Sequence, residues 1–169
     1  MRKSILALMT ALVSGVTFAN ALTDAALSSV RVTAPQVVKA AAKQCDILSY
    51  NVYRKEMSGF SLPNGIDHPV LIGEFHFGAL DRGPFCPGLI LLKDQAERAE
   101  TYRQYVRTSL ENPVIVGVHW HQFSDQSTAG RFDGENMQVG WTDVCDTPYW
   151  ETVEAVRDIG AQIYAIRYK

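Results

Sequence analysis

Charge of one sign is what this 169-residue sequence most visibly lacks. Sixteen lysines and arginines face eighteen acidic residues, a net charge of −2, and neither sign gathers into a run. A protein that holds nucleic acid or an anionic membrane by charge needs a basic face. Nothing here supplies one, so neither partner is expected. Cysteine is almost as scarce. Cys45, Cys86 and Cys145 are an odd number at wide spacing, with no pair close enough for a metal knuckle. They allow one disulfide without saying which pair would form it. Internal repeats and low-complexity segments are absent too, and the apolar content, 47%, suits one soluble globular domain.

Long apolar runs are limited to one, Ile5 to Phe18, too short to cross a bilayer comfortably. Arg2 and Lys3 precede it, and Ala19-Asn20-Ala21 follows with the small residues a signal peptidase requires. The layout is that of a secretory signal over residues 1–21. Cleavage is expected after Ala21, leaving Leu22 first in a secreted or periplasmic product with no further membrane contact. The residue directly after that point is Leu22, not the cysteine that would carry a lipid anchor.

The remaining residues, 22–169, alternate between two periodicities. Thr33-Ala34-Pro35 opens a helix whose apolar face is Val37, Val38, Ala41 and Ala42. Cys45 to Tyr53 (CDILSYNVY), Val70 to Phe77 (VLIGEFHF) and Val114 to Trp120 (VIVGVHW) are strand candidates. The last two begin as continuous apolar runs, as strands buried on both faces do. Asp94 with Glu97 forms a capping box for a helix that Pro113 ends, with Ala99, Tyr102, Val106 and Leu110 on its inner side. Thr147-Pro148 opens a last helix with Val153, Val156, Gly160 and Ile163 inward. This order predicts an α/β fold with parallel strands. Two polar loops, 78–93 and 122–146, follow strand ends, where ligands bind in such folds.

Glu74 carries the most chemistry. An apolar run leads straight into it, and aromatics follow. A carboxylate at the end of a buried strand is costly unless solvated or paired. It is therefore either part of a site or one half of a structural ion pair. Tyr50, Tyr53, Phe75, Phe77, Trp120 and Phe123 gather at the same strand ends, and aromatic planes suit the C–H faces of sugars. Asn51, His76, Gln122, Asp125, Arg131 and Asn136 add amide, imidazole, carboxylate and guanidinium groups for hydroxyls, and the 122–146 loop also carries Asp133 and Glu135. A rival reading takes His119 and His121, with His76 and Glu74, as ligands of a metal-dependent hydrolase. Strand neighbours face opposite ways. If Trp120 faces the pocket, the two histidines face the helices, and the readings exclude each other unless the strand is bulged. No metal and no cofactor are expected.

GEFHFGALDRG (73–83), GVHWHQFSDQ (117–126) and GRFDGENMQVGW (130–141), in this order, resemble the last third of a family 50 β-agarase catalytic barrel. KAAAKQCDILSYNVY (39–53) is similar to that barrel's sixth strand and the helix before it. The resemblance spans roughly residues 33 to 160. It implies part of a (β/α)8 barrel, strands six to eight, from a retaining enzyme that cleaves β-1,4 linkages of agarose. By that likeness Glu74 is the nucleophile ending strand seven, and Trp120 lines a sugar subsite. The likeness also implies that His76, Asp125, Arg131, Asp133, Glu135 and Asn136 shape the pocket rim. Asn51, Tyr53 and Gln122 are expected to bind substrate beside them, from their place at the strand ends. Retaining hydrolysis needs a second carboxyl about 5 Å from the first. In the family's clan it follows an asparagine at strand four, and this sequence contains no Asn-Glu dipeptide. A full barrel takes about 250 residues. The sequence therefore leaves open an active hydrolase, a non-catalytic agar-binding protein, and self-association through an open barrel face.

Overall fold

The computed structural model of the chain describes residues 35–169. The expected signal segment, residues 1–21, and the stretch up to Ala34 lie outside the described residues. In chain order the elements are α1 (Pro35–Ala42), β1 (Leu48–Asn51), β2 (Val70–Phe75), β3 (Gly78–Ala79) and β4 (Leu91–Leu92). They continue with α2 (Gln95–Glu111), β5 (Ile115–Trp120), α3 (Trp150–Gly160) and α4 (Ile163–Arg167). Strands β1, β2 and β5 form a parallel sheet with β2 in the middle, and β3 pairs with β4 in a small parallel ribbon. The fold is mixed α/β with parallel strands, as its alternating pattern predicts. Among the described residues, β1 and β5 each keep one edge unpaired.

Helix α2 covers one face of the sheet. Asp94 Oδ1 accepts the Glu97 N–H at 2.9 Å, while Glu97 Oε2 accepts the Lys93 N–H at 2.7 Å. A cap of this kind contributes about 1 kcal/mol. At the other end, Arg167 of α4 donates to the carbonyls of Leu110, Asn112 and Pro113, groups that a helix end leaves without partners. Between these caps Ala99, Tyr102, Tyr105 and Val106 pack on Val70, Ile72 and Phe75. Phe75 stacks on Tyr105 with ring centroids 4.1 Å apart. Burying a side chain of this size contributes about 1.5–3 kcal/mol.

One irregularity decides where Glu74 goes. Tyr50 pairs with Ile72, but Asn51 pairs with Glu74, so β2 carries one extra residue between them. Strict alternation would put Glu74 on the side of Val70 and Ile72, under α2. The bulge shifts the phase, so that Phe75 rejoins the buried side and Glu74 emerges on the opposite, open side beside Asn51. Gly73 makes this packing feasible: a Cβ there would lie 2.7 Å from Ser49 Oγ and 3.1 Å from Asn51 Oδ1.

The structure corrects several expectations. Strand β1 is shorter than Cys45 to Tyr53, because the Cys45 N–H still bonds Ala41 O at the end of α1. Strand β2 stops at Phe75; beyond it Phe77 turns under α2, where its carbonyl accepts from Arg98 Nε at 2.8 Å. Strand β5 is not buried on both faces, since Val116 is 56% exposed and His119 is exposed as well. Val37 of α1 is also exposed. Helix α3 starts at Trp150, because Thr147 and Tyr149 are still bonded to Asp143 and Trp141. Its inner face is Thr152, Ala155 and Ile159, one residue out of phase with the expected set.

Candidate functional site

Glu74 sits half-buried at the C-terminal end of the central strand. The Tyr53 hydroxyl donates to Glu74 Oε2 at 2.7 Å, and the Val52 N–H holds the Glu74 carbonyl at 3.0 Å. Burial raises the Tyr53 pKa well above its usual value; the hydrogen bond to Glu74 and the charges of Glu74 and Glu135 raise it further. The phenol therefore stays protonated and donating at any ordinary pH. Asn51 is Glu74's pairing partner on the same open side.

The loop over residues 122–146 brings Arg131, Asp133 and Glu135 to this end of the sheet. Arg131 pairs with Asp133 and lies 3.3 Å from Glu135 Oε2. Gln126, which the sequence reading missed, fixes the same Glu135 oxygen from Nε2 at 3.0 Å and accepts the Met137 N–H through Oε1. The Asp133 bond holds the Arg131 guanidinium above its usual pKa, helped by the charges of Glu135, Asp133 and Glu74. Glu74 and Tyr53 thus share one electrostatic environment with this loop. Asn136 is half-buried beside it, and Gln122 donates to Ser124 O at 3.0 Å. The preceding His121–Gln122 peptide is cis.

Other expected residues sit deeper. His76 is 2% exposed; its Nε2 accepts the Leu89 N–H at 2.9 Å, so the ring proton is on Nδ1, which is buried without a partner. Its ring lies 4.8 Å from that of Tyr53 and 6.0 Å from that of His121. Trp120 is on the helix side, edge-on to Phe75 and Tyr102, with its indole N–H donated to Val139 O at 2.8 Å. His119 is exposed, so the strand takes the opposite orientation to the one in which Trp120 faces the pocket. Among the described residues, no three His, Cys, Asp or Glu side chains are placed to hold a metal ion. Phe75 and Phe77 are wholly in the core and offer no face to a sugar, which corrects the aromatic platform expected from their spacing. The bulge that frees Glu74 is what turns Phe75 inward.

Asp125 belongs to a buried hub inside the loops. Its Oδ1 accepts the N–H groups of Val139 and Gly140, at 2.9 and 2.7 Å, and its Oδ2 accepts the Tyr149 hydroxyl at 2.5 Å. Arg98, fully buried, donates to Phe77 O, Gln95 Oε1 and Gly140 O. Burial pushes its pKa down to about 10, against the opposing charge of Asp125. Gln138 ties the two long loops together, accepting the Ala79 N–H and donating its own N–H to Cys86 O. A cavity of about 530 Å³ lined by Phe60, Ile66, Thr108 and Val114 lies instead at the N-terminal end of the strands. That end carries none of the candidate residues, and in parallel α/β folds it serves stability rather than chemistry.

The buried imidazole gives a pH signature. Burial, then the charges of His121 and Arg98, lower the His76 pKa to about 3. An unfolded chain takes up that proton near pH 6.5, and the folded one does not until about pH 3. Folding stability should therefore fall as the pH drops through that window, by on the order of a few kcal/mol across it. Asp125, raised chiefly by burial, works in the opposite sense at the acid end. Denaturation midpoints at pH 7 and pH 5 should differ less for His76→Gln than for the parent. Equal differences would remove His76 as the cause.

No family model matches the chain. Over 139 residues, 80% of its length, it is 40% identical to β-agarase B of Vibrio sp. (strain JT0107), of which it spans 15%. A solved exo-β-agarase superposes with a TM-score of 0.73 at 45% identity, over 79% of this chain and 18% of that one. A solved agarase does so with a TM-score of 0.76 at 41% identity, over 80% of this chain and 20% of that one.

Proposed function

Because about four-fifths of this chain belongs to the family 50 β-agarases, we propose that it carries the nucleophile side of a retaining glycoside hydrolase site for the β-1,4 linkages of agarose. In this reading β1, β2 and β5 stand for strands six, seven and eight of a (β/α)8 barrel. The observation that carries it is Glu74, brought onto the open side of the central strand by a bulge and held at one oxygen by Tyr53. With Oε2 fixed by the phenol, Oε1 is oriented to attack an anomeric carbon and form a glycosyl-enzyme ester, which water then opens. The second carboxyl, which protonates the leaving oxygen, is not assigned to any residue of this chain.

Asn51, Arg131, Asp133, Glu135, Asn136 and Gln122 supply the polar rim for galactose-type hydroxyls. His76 supports Tyr53 from behind, and Asp125 keeps the rim loop folded. Trp120 offers only the part of its ring that Phe75 and Tyr102 leave accessible. Export through residues 1–21 belongs to the same reading. So does association through the open sheet side and the free edges of β1 and β5, because unpaired edges invite pairing with another chain. Light scattering at the monomer mass would contradict that last point.

Incubation with an activated 2-fluoro galactoside should leave a covalent sugar on the peptide containing Glu74, seen as added mass. Label on another carboxylate, with agarose cleavage present, would remove Glu74 as nucleophile. Agarose binding with neither label nor cleavage would favour the non-catalytic agar-binding reading.

A further inference from the structure

The turn that carries Arg131 and Glu135 also carries a residue with no place in the core. Phe132 is 94% exposed. A single exposed apolar side chain is ordinary, but this one sits on a backbone held with unusual care. The Arg131 N–H bonds Glu135 O at 2.8 Å, and the Gly134 N–H bonds Arg131 O at 2.9 Å. Asp133 Oδ1 accepts from Arg131 Nε and from the Glu135 N–H, both at 3.2 Å. Gly130 and Gly134 flank the tip at φ of 85° and 87°, a conformation that side chains with a Cβ rarely adopt. The Arg131 guanidinium lies 6.0 Å from the ring centroid. Phe85 is almost as exposed, but no contact ties it to Glu74. Phe132 sits between the two residues that share the electrostatic environment of Glu74 and Tyr53.

We propose that Phe132 is a sugar-stacking platform outside the reacting subsite, where a further galactose-type ring of the polysaccharide lies with its C–H face on the phenyl ring. The ring is apolar and carried on a hydrogen-bonded turn, with cationic and anionic partners for hydroxyls on either side, Arg131 and Asp133. That combination suits a neutral polyhydroxylated ring better than another protein's apolar surface. The inference rests on the agarose reading and adds a subsite to it.

The experiment is affinity electrophoresis of the full chain through native gels containing increasing amounts of dissolved agarose. Phe132→Ala should need about tenfold more agarose for the same retardation, the loss of one aromatic contact, while Phe132→Trp should migrate as the parent does. Since the ring touches so little protein, both variants should melt as the parent does. Equal retardation of Phe132→Ala and the parent would overturn the platform and leave Glu74 untouched. A lower melting temperature or a changed association state in Phe132→Ala would mean the ring packs on protein, and would overturn it too. If the parent itself is not retarded, the agarose reading fails and the platform with it.

Discussion

Glu74→Gln should reduce whatever agarose cleavage the chain supports, alone or completed by further strands, by a factor on the order of 10³. That corresponds to roughly 4 kcal/mol of lost transition-state stabilisation. The amide keeps the shape of the carboxylate and can still accept from the Tyr53 hydroxyl, now 2.7 Å from Oε2. Neither the bulge nor the Asn51 pairing depends on charge. Ground-state binding of oligosaccharide should therefore survive, and the loss should fall on kcat. What the amide lacks is a lone pair able to form a stable ester with the anomeric carbon. A variant that keeps more than about a tenth of the activity would make Glu74 a structural residue.

Asp125→Ala should cost about 3–5 kcal/mol of folding stability, read as a large fall in the denaturation midpoint. The substitution leaves the Tyr149 hydroxyl and the Val139 and Gly140 N–H groups without their acceptor in a buried place. Each orphaned group costs roughly 1–3 kcal/mol. It also strips the nearest counter-charge from Arg98, which at a pKa of about 10 is still cationic at neutral pH. Asp125→Asn should be milder. Its amide oxygen can keep both backbone donors, and the phenol can turn to accept from the NH2. Domains of this size are stable by only about 5–15 kcal/mol, so the alanine variant should be close to unfolded at 37 °C. A loss under about 0.5 kcal/mol for Asp125→Ala would show that the hub is not what holds the two loops.

Local features of the fold were legible because they are written locally. The Asp94–Glu97 cap, the Pro113 stop and the apolar run into Glu74 all lie within a few residues of the element they define. What escaped is what depends on partners far along the chain. The bulge in β2 exists only in the pairing of Asn51 with Glu74, and no single-strand pattern contains it. Phe75, Phe77 and Trp120 looked like a platform because they end strands, yet the bulge and α2 claim all three. Arg98 within α2 has the appearance of a solvated helix residue; its partners Phe77 and Gly140 lie 21 and 42 positions away. Glu74, Tyr53 and Asn51 lie together, as their places at neighbouring strand ends lead one to expect.

The extra residue in β2 makes strand length itself a functional quantity. Inserting one further residue beside Gly73 would keep every chemical group of the site and almost all of the core, yet shift the phase of everything after it. Glu74 would then exchange sides with Phe75, the carboxylate entering the layer beneath α2 and the phenyl ring emerging beside Asn51. A single-residue insertion in the 78–93 loop changes only a connection, whereas one here inverts the polarity of the site. A substitution along this strand can therefore be tolerated where an added residue cannot.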